Sequence, residues 1–104
     1  MTSFAHPKAT QPAEHYQIIW RGIDLQIIYH PHSFCGYAHL EIQSTKPRVP
    51  LPITETGYRS HFLPREAVEQ SGGPVDCITR WLDTAAQSRV WKAREMDLRQ
   101  GQLL

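Results

Sequence analysis

The chain has 104 residues and a formal net charge of +1 with its histidines neutral. This length predicts a single domain that can bury a core without disulfide bonds or structural metals. The balanced charge excludes a strong field that would steer the protein to nucleic acid or a membrane surface. The sequence also has no apolar run of about 18 residues, the minimum for a membrane-spanning helix.

The first 13 residues combine two prolines with few apolar side chains, which predicts a flexible tail ahead of one domain over residues 14–104. The tail lacks the apolar segment of a signal peptide. The two cysteines, Cys35 and Cys77, do not amount to a disulfide framework. Together these features predict a reduced, cytoplasmic protein.

Alternating apolar and polar residues from Tyr16 to Ser44 predict three antiparallel strands in a meander. One face of this sheet would carry the apolar residues Tyr16, Ile18, Trp20, Ile23, Leu25, Ile27, Tyr29, Ala38, Leu40 and Ile42. A sheet of three strands needs another layer packed on its apolar face to be stable. We therefore expect the rest of the chain to cover this face.

Two short connections set the register of the meander. The first is a two-residue turn at Arg21-Gly22, where glycine accepts the positive φ that such turns require. The second is a loop over residues 31–36, which would pair His30 with Tyr37. Both registers place the same residues on the apolar face, and a slip of one residue would turn a strand over.

The second half of the chain predicts one more strand and then helices. The proline-rich residues 45–52 form a connection, and residues 53–62 read as a fourth strand. Helices are expected to begin at Pro64, at Pro74 and after Ser88. This order predicts an α+β fold, an antiparallel three- to four-stranded meander sheet with C-terminal helices packed on one face.

A metal site is one alternative suggested by the sequence around the second connection. His30, His32, Cys35 and His39 are all residue types that ligate zinc. Their spacing matches no zinc finger or ribbon, and solvent-facing histidines beside a proline-containing turn are the favoured interpretation. We therefore predict no metal, and the absence of glycine-rich phosphate-binding motifs predicts no nucleotide cofactor.

A polar surface is the leading candidate for a site. The third strand points two polar side chains away from the core, and the segment that follows the proline-rich connection is dense in functional groups. The candidate ligand-binding residues are His39, Glu41, Glu55, Tyr58, Arg59 and His61. Arginine suits carboxylate or phosphate, and histidine changes charge near neutral pH. The alternative is a strip of structural ion pairs on the surface.

These features predict a non-enzymatic binding or accessory module that acts on a partner protein or a small anionic ligand. The alternative is a small enzyme or metal-binding protein that uses the histidine-rich polar face. Nucleic-acid binding is disfavoured because acidic residues interleave with the arginines of the C-terminal helices. Four apolar residues outside the inward set predict a homodimer: Ile19, Ile28, Phe34 and Tyr37.

The run Pro50 to Phe62, PLPITETGYRSHF, follows the strand residues Ala38 to Ile42. This combination resembles small uncharacterised bacterial proteins of about this length, over residues 16–87 at most. The resemblance implies a bacterial, cytoplasmic origin. It attaches no activity, ligand or site residue to the chain.

Overall fold

The computed structural model describes the backbone of residues 12–102 and the side chains of residues 12–97. The predicted tail lies almost entirely outside these residues. The elements are strands β1 (Glu14–Trp20), β2 (Ile23–Phe34), β3 (Tyr37–Ser44) and β4 (Tyr58–Pro64) and helices α1 (Arg65–Gln70), α2 (Pro74–Ala85) and α3 (Arg89–Gln102). The strands form one antiparallel sheet in the order β1-β2-β3-β4, which confirms the predicted α+β meander.

The first hairpin has the predicted register. Arg21 and Gly22 form the turn with φ values of 49° and 81°, so both central residues are left-handed, as in the turns that match strand twist. Trp20 pairs with Ile23, next to the turn. The two strands therefore present their apolar residues on the same side.

In the second hairpin the predicted register was wrong by two residues. β2 continues to Phe34, and the chain turns at Cys35-Gly36, so His30 pairs with His39 instead of Tyr37. Pro31 has no backbone N–H to donate to the neighbouring strand. The pairing of β2 with β3 is irregular between His30 and Phe34, but the strand continues through it. Because the shift is an even number of residues, each side chain stays on its predicted face.

The predicted fourth strand over residues 53–62 was placed too early. Residues 51–57 form a compact loop, in which the backbones of Leu51 and Thr54 exchange hydrogen bonds of 2.8 and 3.0 Å. Leu51 and Ile53 are buried in the core, which draws this part of the chain out of the plane of the sheet. β4 begins only at Tyr58.

The helices cover the apolar face, as predicted. All ten inward residues of the meander are either buried or packed against the core. The helices contribute Val68, Ile78, Leu82 and Trp91. Within the described residues, no helix combines the length and the apolar character needed to cross a membrane.

The start of α3 is fixed by a cap and by contacts with the first hairpin. Ser88 Oγ accepts a hydrogen bond of 3.1 Å from the backbone N–H of Trp91, which confirms the predicted cap. The Trp91 ring is buried with its centroid 6.2 Å from that of Trp20. Farther along α3, Glu95 forms an ion pair with Arg21 in the turn, with 3.1 Å between Oε2 and Nη1.

Candidate binding site on the open sheet face

Side chains of alternate strand residues project away from the helices, on what we call the open face. On β2, β3 and β4 they include Ile28, His30, Phe34, Tyr37, His39, Glu41, Tyr58, Ser60 and Phe62. Across the β3–β4 pair, His39 lies opposite Phe62 and Glu41 lies opposite Ser60. Residues directly opposite in an antiparallel pair share a face and touch each other.

Three exposed aromatic residues meet at the end of the open face near the second hairpin. We call Phe34, Tyr37 and Phe62 the aromatic cluster. The rings of Phe34 and Tyr37 stack at 5.7 Å and 12°, and Phe62 meets Phe34 edge-on at 5.7 Å and 67°. The three side chains are 55%, 41% and 48% exposed, respectively, although they are large and apolar.

A polar cluster of His30, His39, Glu41, Tyr58 and Ser60 adjoins the aromatic cluster. His30 Nε2 and Tyr58 Oη each lie 2.9 Å from one of the two Glu41 carboxylate oxygens. His39 Nε2 lies 2.6 Å from Ser60 Oγ, and its ring stacks on His30 at 5.1 Å.

The ring of His39 joins the two clusters. It stacks on Phe62 with the centroids 4.3 Å apart and the planes 15° from parallel. The open face therefore carries one continuous surface, apolar at the hairpin end and polar beside it.

These contacts set the ionisation of the polar cluster. The hydrogen bond with His30 lowers the pKa of Glu41; burial opposes this effect, and the hydrogen bond from Tyr58 adds to it. Burial is the main cause that lowers the pKa of His39. The hydrogen bond to Glu41 raises the pKa of Tyr58, because the phenol must stay protonated to donate. Glu41 is thus held as a carboxylate that accepts from two neighbours.

The structure brings three of the predicted site residues together and separates three from them. His39, Glu41 and Tyr58 belong to the polar cluster. The prediction that Arg59 and His61 share their face was wrong. Because Ser60 lies opposite Glu41, the residues on either side of it point toward the helices.

Arg59 and His61 pack against α2 on the inner side of β4. The His61 ring lies 4.7 Å from the Trp81 ring, and Arg59 Cζ lies 5.5 Å from the same ring. Arg59 Nη1 also donates a 3.0 Å hydrogen bond to the Ile53 carbonyl oxygen. The guanidinium therefore stabilises the 51–57 loop and a tryptophan on α2.

Glu55 lies apart from the other predicted site residues. It is exposed in the 51–57 loop and lines an open groove of about 400 Å³ between this loop and the start of α3. The predicted convergence of Glu55 with His39 and Glu41 on one strand surface was wrong, because the loop residue is not part of the sheet.

The alternative zinc set suggested by the sequence is also divided. His32 Nδ1 lies 3.0 Å from Arg65 Nη1, and Cys35 is exposed in the hairpin turn. Only His30 and His39 of that set meet, and the third metal-ligating side chain beside them is Glu41. Glu41 lies two residues from His39 on one strand face, so alternation combined with the correct hairpin register was the signal for this trio.

The half-buried position of His61 predicts a pH-dependent stability. Burial, and after it the Arg59 charge, lowers the pKa of His61 from its ordinary 6.5. His61 of the unfolded chain therefore binds a proton more readily than His61 of the folded chain. The contribution of neutral His61 to the free energy of unfolding is present above pH 6.5 and is lost as the pH falls through the pKa of the folded state. His61→Phe keeps a ring on Trp81 but removes this titration.

We expect the loss of melting temperature between about pH 8 and pH 5 to be smaller in His61→Phe than in the unmodified chain, by roughly 1–4 °C. Thermal unfolding at both pH values measures the difference. His15→Phe, at an exposed histidine of β1, serves as the control and should leave the pH dependence unchanged. If the melting temperatures of the unmodified chain and His61→Phe depend on pH in the same way, His61 is not the cause of the pH dependence.

The chain is similar to a known protein family. The family model described as the KlcB third domain matches residues 13–91, which include all four strands, α1 and α2. No curated protein and no solved structure matches the chain.

Proposed function

The chain belongs to the family of the KlcB third domain, and from this premise we propose that it is a binding module that docks another protein on its open face. The family name describes one domain among several in the protein after which it is named. That setting supports an accessory role, in which the domain holds a partner and leaves any chemistry to other units.

The exposed aromatic cluster is the observation that carries the proposal. Phe34, Tyr37 and Phe62 leave about half of their surface to water, on the side of the sheet opposite to the helices of the described residues. Aromatic side chains contribute a large share of the binding energy at the centres of protein interfaces. Because the three rings already pack against each other, docking would order few additional side chains.

The polar cluster supplies the directional part of such an interface. Glu41 and His30 are half-buried beside the rings, where hydrogen bonds to a partner would fix its orientation. A small anionic ligand is less well supported than a protein. No strand residue of the described open face is lysine or arginine, and Arg59 is turned toward Trp81.

The test compares the aromatic cluster with a separate exposed apolar residue on the same side of the sheet. Phe34→Ser/Phe62→Ser removes two of the three rings of the cluster, whereas Ile19→Ser removes a 72% exposed apolar side chain from β1. Each purified protein is immobilised and used to capture proteins from the cells in which the chain naturally occurs. The affinity for each captured protein is then measured with purified components.

We expect the unmodified chain and Ile19→Ser to bind the same protein equally. The double variant should bind it at least about 30-fold more weakly, since the loss of even one interface hot spot costs about 2 kcal/mol or more. Its melting temperature should stay close to that of the unmodified chain. Equal binding by the double variant would overturn the proposal.

Self-association is a separate outcome of the same test. The sequence predicted a homodimer through Ile19, Ile28, Phe34 and Tyr37, and light scattering measures the mass of the chain in solution. If the chain is a dimer and the double variant a monomer, the occupant of the open face is a second copy. That result would overturn docking of a different protein.

A further inference from the structure

Three side chains of the polar cluster have the chemistry and spacing of a metal site. His30, His39 and Glu41 each offer a ligand atom, and all three atoms lie within 4.8 Å of one another. Ligands bound at about 2.0–2.2 Å in a tetrahedral zinc site lie about 3.4 Å apart. The trio would therefore need to contract by only on the order of 1 Å, which side-chain rotation supplies.

We propose that His30, His39 and Glu41 bind a divalent transition-metal ion, for which Zn²⁺ is the best chemical fit. Two imidazoles and one carboxylate form a three-ligand zinc set that leaves a fourth position for water. Calcium and magnesium prefer all-oxygen sites, so they fit this donor set less well.

The sheet holds the three ligands on a rigid frame. His30 and His39 are directly opposite in the β2–β3 pair, and Glu41 follows two residues later on the same face. Backbone hydrogen bonds on both sides of β3 fix these positions. Sites built on strands hold their geometry more closely than sites on loops.

Neighbouring hydroxyl groups orient the ligands. Tyr58 holds Glu41 Oε1 at 2.9 Å. The other carboxylate oxygen, Oε2, lies 2.9 Å from His30 Nε2, so a metal bound by these two atoms would replace the hydrogen bond between them. Ser60 holds Nε2 of His39, which leaves Nδ1 available. Hydrogen bonds of this kind to the outer atoms of metal ligands are a regular feature of metal sites.

Metal binding also requires the stacked rings to rearrange. A metal lies near the plane of each imidazole that ligates it, but the His30 and His39 rings are stacked only 19° from parallel. The His39 ring must therefore turn about its side-chain bonds and weaken its stack on Phe62. The side chains of His30 and Glu41 are 36% and 26% exposed, so an ion reaches them directly from solvent.

The experiment is isothermal titration of the full chain with Zn²⁺ at neutral pH in a buffer that does not chelate metal. We expect one ion per chain bound by the trio. His30→Ala, His39→Ala and Glu41→Gln should each weaken its binding at least about tenfold, because each leaves only two ligands. Co²⁺ in place of Zn²⁺ should give the visible absorption of a tetrahedral site, and each variant should lose it.

Two histidines outside the trio provide matched controls. The control variants are His32→Ala and His15→Ala. His32 lies on β2 with His30, and His15 lies on the neighbouring strand β1. Both should bind Zn²⁺ within about twofold of the unmodified chain, a change that corresponds to less than half a kcal/mol. The proposal is overturned if Zn²⁺ does not bind, if the three ligand variants keep their affinity, or if the controls lose as much.

Folding and metal binding are separable in this design. Circular dichroism and melting temperature without metal establish that each variant is folded. In the unmodified chain, saturating Zn²⁺ should raise the melting temperature, because a ligand that binds only the folded state stabilises it. In Glu41→Gln, which keeps the size of the side chain, the same Zn²⁺ concentration should leave the melting temperature nearly unchanged.

Discussion

Replacing Gly57 by alanine should destabilise the domain by about 2–5 kcal/mol, through backbone strain and overpacking together. Gly57 is buried with φ of +84°, a conformation that residues with a Cβ rarely adopt. A Cβ built there lies 2.8 Å from both Ser44 Oγ and the Val49 carbonyl oxygen, and 2.6 Å from Arg48 Cγ. These distances are shorter than real Cβ contacts, so neighbouring atoms must move.

The neighbours of Gly57 have little room to move, because they are tied to each other. Ser44 is buried; its backbone N–H donates to the Gly57 carbonyl oxygen at 2.8 Å, and its hydroxyl donates to the Val49 carbonyl oxygen at 2.7 Å. The Val49 N–H donates back to the same hydroxyl at 2.8 Å. A methyl group at residue 57 would therefore disturb the junction that anchors the 45–57 segment to the end of β3.

Gly22→Ala separates the two causes. Gly22 has nearly the same φ, +81°, but nothing lies within 4 Å of the Cβ that would be added. Its substitution should lower the free energy of unfolding only through backbone strain, by about 1–2 kcal/mol. Urea unfolding of both variants measures the difference, and equal costs would show that the contacts around Gly57 relax freely.

Leu40→Ala should cost about 2–5 kcal/mol of unfolding free energy. Leu40 lies in the middle of β3, is 0% exposed, and faces the core between Tyr29 on β2 and His61 on β4. A cavity in the centre of the sheet is surrounded by paired strands on both sides. The backbone therefore cannot collapse to fill it, and the loss should fall in the upper part of this range.

Urea unfolding again provides the measurement. The midpoint should fall by roughly 1 M or more while the slope of free energy against urea stays the same. Gln26→Ala, on β2 but on the open face, is the control and should cost less than about 1 kcal/mol. Similar losses for the two variants would contradict the division of the sheet into a buried and an open face.

Local sequence patterns were enough to predict the faces of the meander and the starts of the helices. Alternation over Tyr16–Ser44 separates apolar from polar residues sharply, and burial rewards only one orientation of such a strand. The helix starts at Pro74 and Ser88 also follow from local chemistry, because a proline at the first turn and a capping hydroxyl act on their own neighbours.

Where β4 begins, and which of its residues face the helices, depends on contacts between distant parts of the folded chain. In residues 53–62 both alternating sets mix polar and bulky side chains, so alternation alone favours neither face. The choice is made by Leu51 and Ile53, which enter a core built by distant elements and shift the start of the strand to Tyr58. That shift places His61 against Trp81 and leaves Tyr58, Ser60 and Phe62, not Arg59, as the β4 residues on the open face.

The meeting of His30, His39 and Glu41 was likewise a tertiary result. It depends on a turn at Cys35-Gly36, whereas the proline in this segment suggested a longer loop. The local sequence indicates which side chains of the hairpin face the core, but it does not distinguish registers that are two residues apart. Such registers bury the same apolar side chains. The pairing that the whole sheet adopts brings the two imidazoles and the carboxylate together.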